Sequence, residues 1–137
     1  MLQGTADDDS IFGKRGADRL FGREGDDYVD GEDGDDALHG GSGNDIMAGR
    51  NGNDEIHGDG GNDRITGDRG NDRIFGGDGN DEIFGNLDGD FVDGGAGDDR
   101  INVVAGDIDV VTCGGGKDTV FASAGDVINI DCEDVRR

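Results

Sequence analysis

Aliphatic residues recur in this chain at a fixed interval. From Leu20 to Ile101 one stands at every ninth position: Leu20, Val29, Leu38, Met47, Ile56, Ile65, Ile74, Ile83, Val92 and Ile101. A repeat of this kind decides the fold before any local reading does. Laid out in nines from Gly13, the chain runs through ten uninterrupted units to Asn102, and three more columns stay in phase. The first place is glycine in all ten units, the fourth is glycine in nine, the fifth is Asn or Asp in eight, and the sixth is aspartate in all ten.

Glycine at this density excludes helix. One aliphatic side chain between two variable neighbours predicts a short strand with one side chain in and two out. Glycine, Asn and Asp accept positive φ, so the first six places are predicted to form a turn. Turn and short strand in alternation describe a solenoid. A coil of one unit has no opposite wall against which to bury its aliphatic side chain. A coil of two units, eighteen residues, sets two strands across a thin core. The outward seventh place supports the longer coil: steps of eighteen set Arg64 beside Glu82, Glu82 beside Arg100 and Glu55 beside Arg73. Opposite charges are what lateral neighbours in a sheet favour, whereas a step of nine would set Arg64 beside Arg73.

The pattern divides the chain into a degenerate edge repeat (1–12), ten tandem repeats (13–102), and degenerate repeats with a cap (103–137). Residues 4 to 12 keep Gly4, Asp9 and Ile11, but Asp7 replaces the fourth-place glycine. Asp88 stands at one fourth place, Ile108 takes a sixth place, and Thr112 adds a residue before CGGGKDTVF resumes the pattern. Atypical terminal units suit the open ends of a solenoid.

Composition alone would predict an unfolded chain. Only 31% of its 137 residues are hydrophobic, Gly occurs 30 times, and the formal charge is −22. That charge argues against nucleic acid or an anionic membrane as a partner, because both are bound by a basic face. No stretch approaches the roughly 18 apolar residues of a membrane span. MLQGTADDDS carries no signal peptide pattern.

With coils about 4.8 Å apart, the sixth-place aspartates form two columns, one along each edge. Asp18, Asp36, Asp54, Asp72 and Asp90 make one; Asp27, Asp45, Asp63, Asp81 and Asp99 make the other, in which Asp99 has a partner only in Asp81. Unpaired carboxylates at that spacing oppose folding. A cation between them removes the conflict, and carboxylates with turn carbonyls make a cage of oxygens. Such a cage suits Ca²⁺, which takes about 6–8 oxygen ligands in flexible geometry. Zinc is disfavoured because neither His nor Cys lies in the columns. Folding and ion binding then become one event. Eight aspartate pairs eighteen apart in residues 18–99, with the ends, predict seven to ten Ca²⁺ in two rows.

Units such as GGDGNDEIF (76–84) and GGSGNDIMA (40–48) resemble the pattern G-G-x-G-x-D-x-U-x of the repeats-in-toxin (RTX), or haemolysin-type, calcium-binding proteins. The resemblance covers about residues 4 to 121. It implies an all-β, right-handed parallel β-roll with Ca²⁺ held between turns on both edges. It further implies side-chain ligands at Asp18, Asp27, Asp36, Asp45, Asp54, Asp63, Asp72, Asp81, Asp90 and Asp99, with Asp9 and Asp118 at the ends. Turn carbonyls would supply the rest, at Gly16, Gly25, Gly34, Gly43, Gly52, Gly61, Gly70, Gly79 and Gly97. The function implied is a secreted, extracellular module, structural or linked to secretion. The alternatives are an adhesin-like or surface-binding module, for ice or polysaccharide, or the non-catalytic C-terminal part of a secreted enzyme or toxin.

Cys113 and Cys132 are 19 apart, nearly one coil, and stand either as a disulfide in the cap or as two thiols. His39 and His57, 18 apart at the outward ninth place, should stack on one sheet, as two surface histidines or as a transition-metal pair. Phe12, Phe21, Phe75, Phe84 and Phe121 also occupy ninth places and would cover turn edges, meet a neighbouring domain or support self-association. GGGKDT (114–119) fails as a phosphate loop, since Val111 stands where the first glycine belongs and Asp118 replaces Ser/Thr. No nucleophile, base and orienting acid can be assembled, so an enzyme is not expected.

Overall fold

The protein, described by a computed structural model over residues 1–137, is a stack of two parallel eight-stranded sheets joined by turns. Sheet 1 runs through Leu2–Gln3, Arg19–Glu24, Ala37–Ser42, Glu55–Gly60, Arg73–Asp78, Phe91–Ala96, Val110–Gly115 and Val127–Ile128. Sheet 2 runs through Ser10–Arg15, Tyr28–Asp33, Ile46–Asn51, Arg64–Arg69, Glu82–Leu87, Arg100–Val103, Thr119–Ala122 and Asp134–Arg136. The chain alternates between sheets, so one coil contains two nonapeptide units. This is a β-roll.

The register carries the eighteen-residue coil: Leu20 pairs with Leu38, Ile56 with Ile74, and Ile65 with Ile83. On the outer face Glu82 lies between Arg64 and Arg100, and Glu55 lies beside Arg73, as the charge pattern requires. Arg64 Nη1 stands 2.6 Å from Glu82 Oε2. The eighth-place side chains of both sheets meet in one core of sixteen buried residues, from Ile11 to Ala122.

Two local expectations are corrected. The strands are longer than one inward residue requires, because ladder pairing continues from the seventh place through the third place of the next unit, as in Arg64–Arg69. The turn is therefore confined to the fourth, fifth and sixth places. Positive φ falls at the second and fourth places, not at the fifth. The fourth is mostly glycine, but the second holds Lys14 (φ 82°), Arg23 (98°), Arg50 (81°) and other non-glycines. Left-handed backbone at such residues costs roughly 1–2 kcal/mol each, a strain that the ladders on either side must hold.

The first-place glycines serve a different need. A Cβ at Gly31 would lie 2.6 Å from Asp36 Oδ2 and 2.9 Å from the Gly49 carbonyl oxygen. The coil can close over its own aspartate only where that atom is missing. Towards the C-terminus the first place becomes Val103, Cys113 and Ala122, whose side chains extend the core into the cap. Cys113 and Cys132 form a disulfide with Cα atoms 5.2 Å apart, tying the segment after Val127–Ile128 to the coil before it. The extra residue assigned to Thr112 lies earlier, ahead of Asp109. Val92 already pairs with Val111, and Ile101 with Val120, at offsets of nineteen.

Substitution separates packing from glycine content. Gly31→Ala should destabilise the ion-loaded fold by about 1–3 kcal/mol through overpacking. Gly115→Ala, whose Cβ would meet nothing within 4 Å, should stay within about 0.5 kcal/mol of the parent. Urea unfolding of both variants measures the difference.

Candidate functional site

Both aspartate columns form along the edges of the roll, and each is a ladder. The backbone N–H of Asp27 donates to Oδ1 of Asp45 at 2.8 Å, Asp45 to Asp63 at 2.8 Å, and Asp63 to Asp81 at 2.8 Å. On the other edge Asp36 donates to Asp54 and Asp54 to Asp72, both at 2.8 Å, and Asp72 to Asp90 at 2.9 Å. One oxygen of each carboxylate is thereby fixed by the backbone of the preceding coil. The other, Oδ2, turns inward over the first-place glycine of its own unit.

That second oxygen is buried and accepts no hydrogen bond at Asp27, Asp36, Asp45, Asp54, Asp63, Asp72, Asp81, Asp90, Asp99, Asp109 and Asp118. A buried carboxylate oxygen without a partner is costly, and a row of them on each edge is far outside what folded proteins tolerate. With no cation between them, burial pushes the carboxyls of Asp54, Asp63 and Asp90 up to about 7, and those of Asp45, Asp72, Asp99 and Asp109 up to about 6. Burial also raises Asp27, Asp36, Asp81 and Asp118. Backbone N–H donation works against these rises but does not offset them.

The fourth-place carbonyls are the second source of free oxygens. Those of Gly16, Gly25, Gly34, Gly43, Gly52, Gly61, Gly70, Gly79 and Gly97 accept no backbone hydrogen bond. Several point along the stack at the corresponding glycine of the next coil, Gly52 at Gly70 and Gly61 at Gly79 among them. The fifth place, read from sequence only as turn-forming, has a defined task. Its side-chain oxygen accepts the backbone N–H one coil later, as Asn44 does for Asn62, Asn53 for Asn71 and Asn62 for Asn80. The spacing placed these residues in the turn, but only the coil register reveals the lateral partner. Carboxylate and carbonyl oxygens, unpartnered and side by side at each edge, fit a hard divalent cation.

The ends differ from the middle. Asp9 and Asp18 are only half-buried. Thr5 N–H and Oγ1 both donate to Asp9 Oδ2, and these bonds hold that carboxyl below its usual range. Asp118 joins its column fully, accepting the N–H of Asp99 at 2.9 Å, so Asp99 has a neighbour on each side. Ile108 does not end the other column. The one-residue insertion brings Asp109 into place, where it accepts the N–H of Asp90 at 2.7 Å, while Ile108 is exposed. Asp126 continues that edge, accepting from Asp109 at 3.3 Å. The missed residues carried a signal: Asp109-Val110-Val111 and Asp126-Val127-Ile128 both repeat the D-x-U core of the unit. Asp88 takes the left-handed conformation of the glycine it replaces (φ 71°), so the turn there is preserved.

These carboxyls predict an unusual pH dependence. Unfolded aspartates titrate near about 3.9, so between that value and about 7 the cation-free folded chain binds more protons than the unfolded one. Its stability should therefore fall as pH rises through this window. Far-UV circular dichroism of ion-free protein should show β signal at pH 4 decaying towards pH 7.5; a signal growing with pH would contradict the buried columns.

A model of the RTX calcium-binding nonapeptide repeat matches four stretches of the chain, residues 3–38, 39–74, 66–101 and 106–128. No curated protein sequence matches the chain. The four stretches span most of its length, and their repeats coincide with the coils whose edges carry the unpartnered oxygens. The chain belongs to the RTX calcium-binding nonapeptide repeat family.

Proposed function

We propose that this chain is a calcium-driven folding module: unfolded where calcium is scarce, assembled into a β-roll outside the cell, and serving there as a structural or secretion-linked domain without catalytic activity. The observation that carries the reading is the row of buried, unpartnered Oδ2 atoms on each edge. Calcium supplies the partner that these oxygens lack and reduces the formal charge of −22. In this reading, sixth-place aspartates of neighbouring coils share each ion, from Asp18 to Asp99 with Asp109 and Asp118, and the fourth-place glycine carbonyls complete the shell. Asp9, held by Thr5, contributes least. Seven to ten ions are expected, and the continuation of both columns past Asp99 favours the upper end of that range.

The alternative of an ice-binding face would want a flat outward ladder of Thr. The outward seventh and ninth places hold mostly Arg, Glu, Phe, His and Asp, and the Thr among them, Thr66, Thr112 and Thr119, do not stack into a ladder. Several outward aromatic rings are already engaged by neighbours, Phe84 by Arg64 and Phe121 by Arg100, each with the guanidinium 5.0 Å from the ring centre.

Two outcomes test the proposal. In excess EGTA at neutral pH the β signal should be lost and then return on adding calcium; a full β signal in chelator overturns the coupling of folding to the ion. Asp63→Ala should lower both calcium stoichiometry and the midpoint of thermal unfolding, because Asp63 faces an aspartate in the coil on either side. Asp99→Ala should resemble it, and Asp9→Ala should change either quantity little. Calorimetric titration that finds the three variants equal overturns the assignment of ligands.

A further inference from the structure

Outside the oxygen columns, one cluster carries a different chemistry. His39 and His57 are register partners on neighbouring strands of sheet 1. Their rings are stacked with centroids 4.7 Å apart and planes within 8°. Asp59 pairs with Gly41 across the same two strands. Because Gly41 has no side chain, Asp59 can reach back along the sheet, and its Oδ2 lies 3.3 Å from His39 Nδ1. One ligand atom from each of His39, His57 and Asp59 falls within 4.8 Å of the others.

The geometry points to a site for a borderline transition-metal ion of the Zn²⁺ class, held by His39, His57 and Asp59 on the outer face of sheet 1. Two imidazoles and a carboxylate are a donor set that binds zinc with a fourth position left for water. It is the kind of set that oxygen-seeking Ca²⁺ does not prefer. Ligand atoms about 2.0–2.1 Å from a tetrahedral zinc stand roughly 3.3–3.4 Å apart, which is the separation already present between His39 and Asp59. His57 must tilt out of the stack, since two parallel rings cannot both aim lone pairs at one ion. Rotation about its terminal torsion is soft. Its Nε2 lies 3.2 Å from Glu55 Oε1, a carboxylate contact of the kind that orients metal-binding histidines and raises their basicity. That leaves Nδ1 for the ion. Phe21 and Phe75 stack on the outer sides of the pair at 5.0 and 4.7 Å, so the tilt of His57 is made against the face of Phe75. The three ligands come from two coils, so the site exists only when those coils are stacked.

The test is a zinc titration of the calcium-saturated chain, with calcium content measured alongside and Co²⁺ absorption as a second probe. One Zn²⁺ per chain, no displaced calcium, and visible Co²⁺ bands of tetrahedral nitrogen and oxygen ligation are expected. His39→Phe and His57→Phe preserve the aromatic stack while removing the nitrogen, and each should weaken zinc binding at least tenfold. Asp59→Asn should do likewise. Circular dichroism in calcium confirms that each variant is folded. Absence of zinc binding, zinc uptake that is unchanged in His57→Phe, or zinc that displaces calcium would each overturn the site.

Discussion

The backbone N–H of one coil held by a carboxylate oxygen of the next is the interaction on which the rest of this structure depends. It places the aspartate inside the turn, fixes one oxygen and leaves the other facing inward without a partner. The first-place glycine follows from it, because a side chain there would collide with the inward oxygen. The fourth-place glycine follows as well, since the turn that brings the carboxylate round needs a left-handed residue. Part of the acidity of the chain is a consequence of repeating this contact at every turn.

The apolar core cannot maintain the arrangement unaided. Each unit contributes one aliphatic side chain, so Ile56 and Ile65 and their equivalents form a single thin layer between two sheets. Against it stand the left-handed lysine, arginine and aspartate residues at second places and the buried charge at both edges. The lateral ladders at the fifth and sixth places run in opposite directions along the stack. Asn62 donates to the coil before it and Asp63 to the coil after it, so adjacent residues lock each coil to both neighbours.

Much of this was legible in the sequence because period and chemistry coincide. Four columns in phase define a solenoid, and the need of each strand for an opposite wall, supported by the signs of Arg64, Glu82 and Arg100, points to the eighteen-residue coil. What stayed hidden had physical reasons. Positive φ at Arg23 or Arg50 is imposed by the stack on residues that disfavour it, so propensity pointed to the fifth place instead. The hydrogen bond accepted by Asn53 is made one coil away and leaves no mark on its immediate neighbours. Asp109 was obscured by a single inserted residue, which shifted the frame while leaving the D-x-U core intact. The disulfide was foreseeable as a possibility from spacing, but its formation depended on how the cap folds back on the last coils.

The two periods have a consequence for how such a chain can change in length. The interior is the same in every unit, with one glycine, one aspartate and one aliphatic residue, so it tolerates loss or gain of nine residues. The exterior does not. Inserting nine residues between Arg64 and Arg73 would rotate everything downstream by half a coil, bring those two arginines side by side, and separate Phe75 from the stacked rings of Phe21, His39 and His57. Deleting eighteen would shorten the roll by one rung and leave both faces in step. Growth and contraction by whole coils is thus the neutral path for this architecture, enforced by the surface and not by the core.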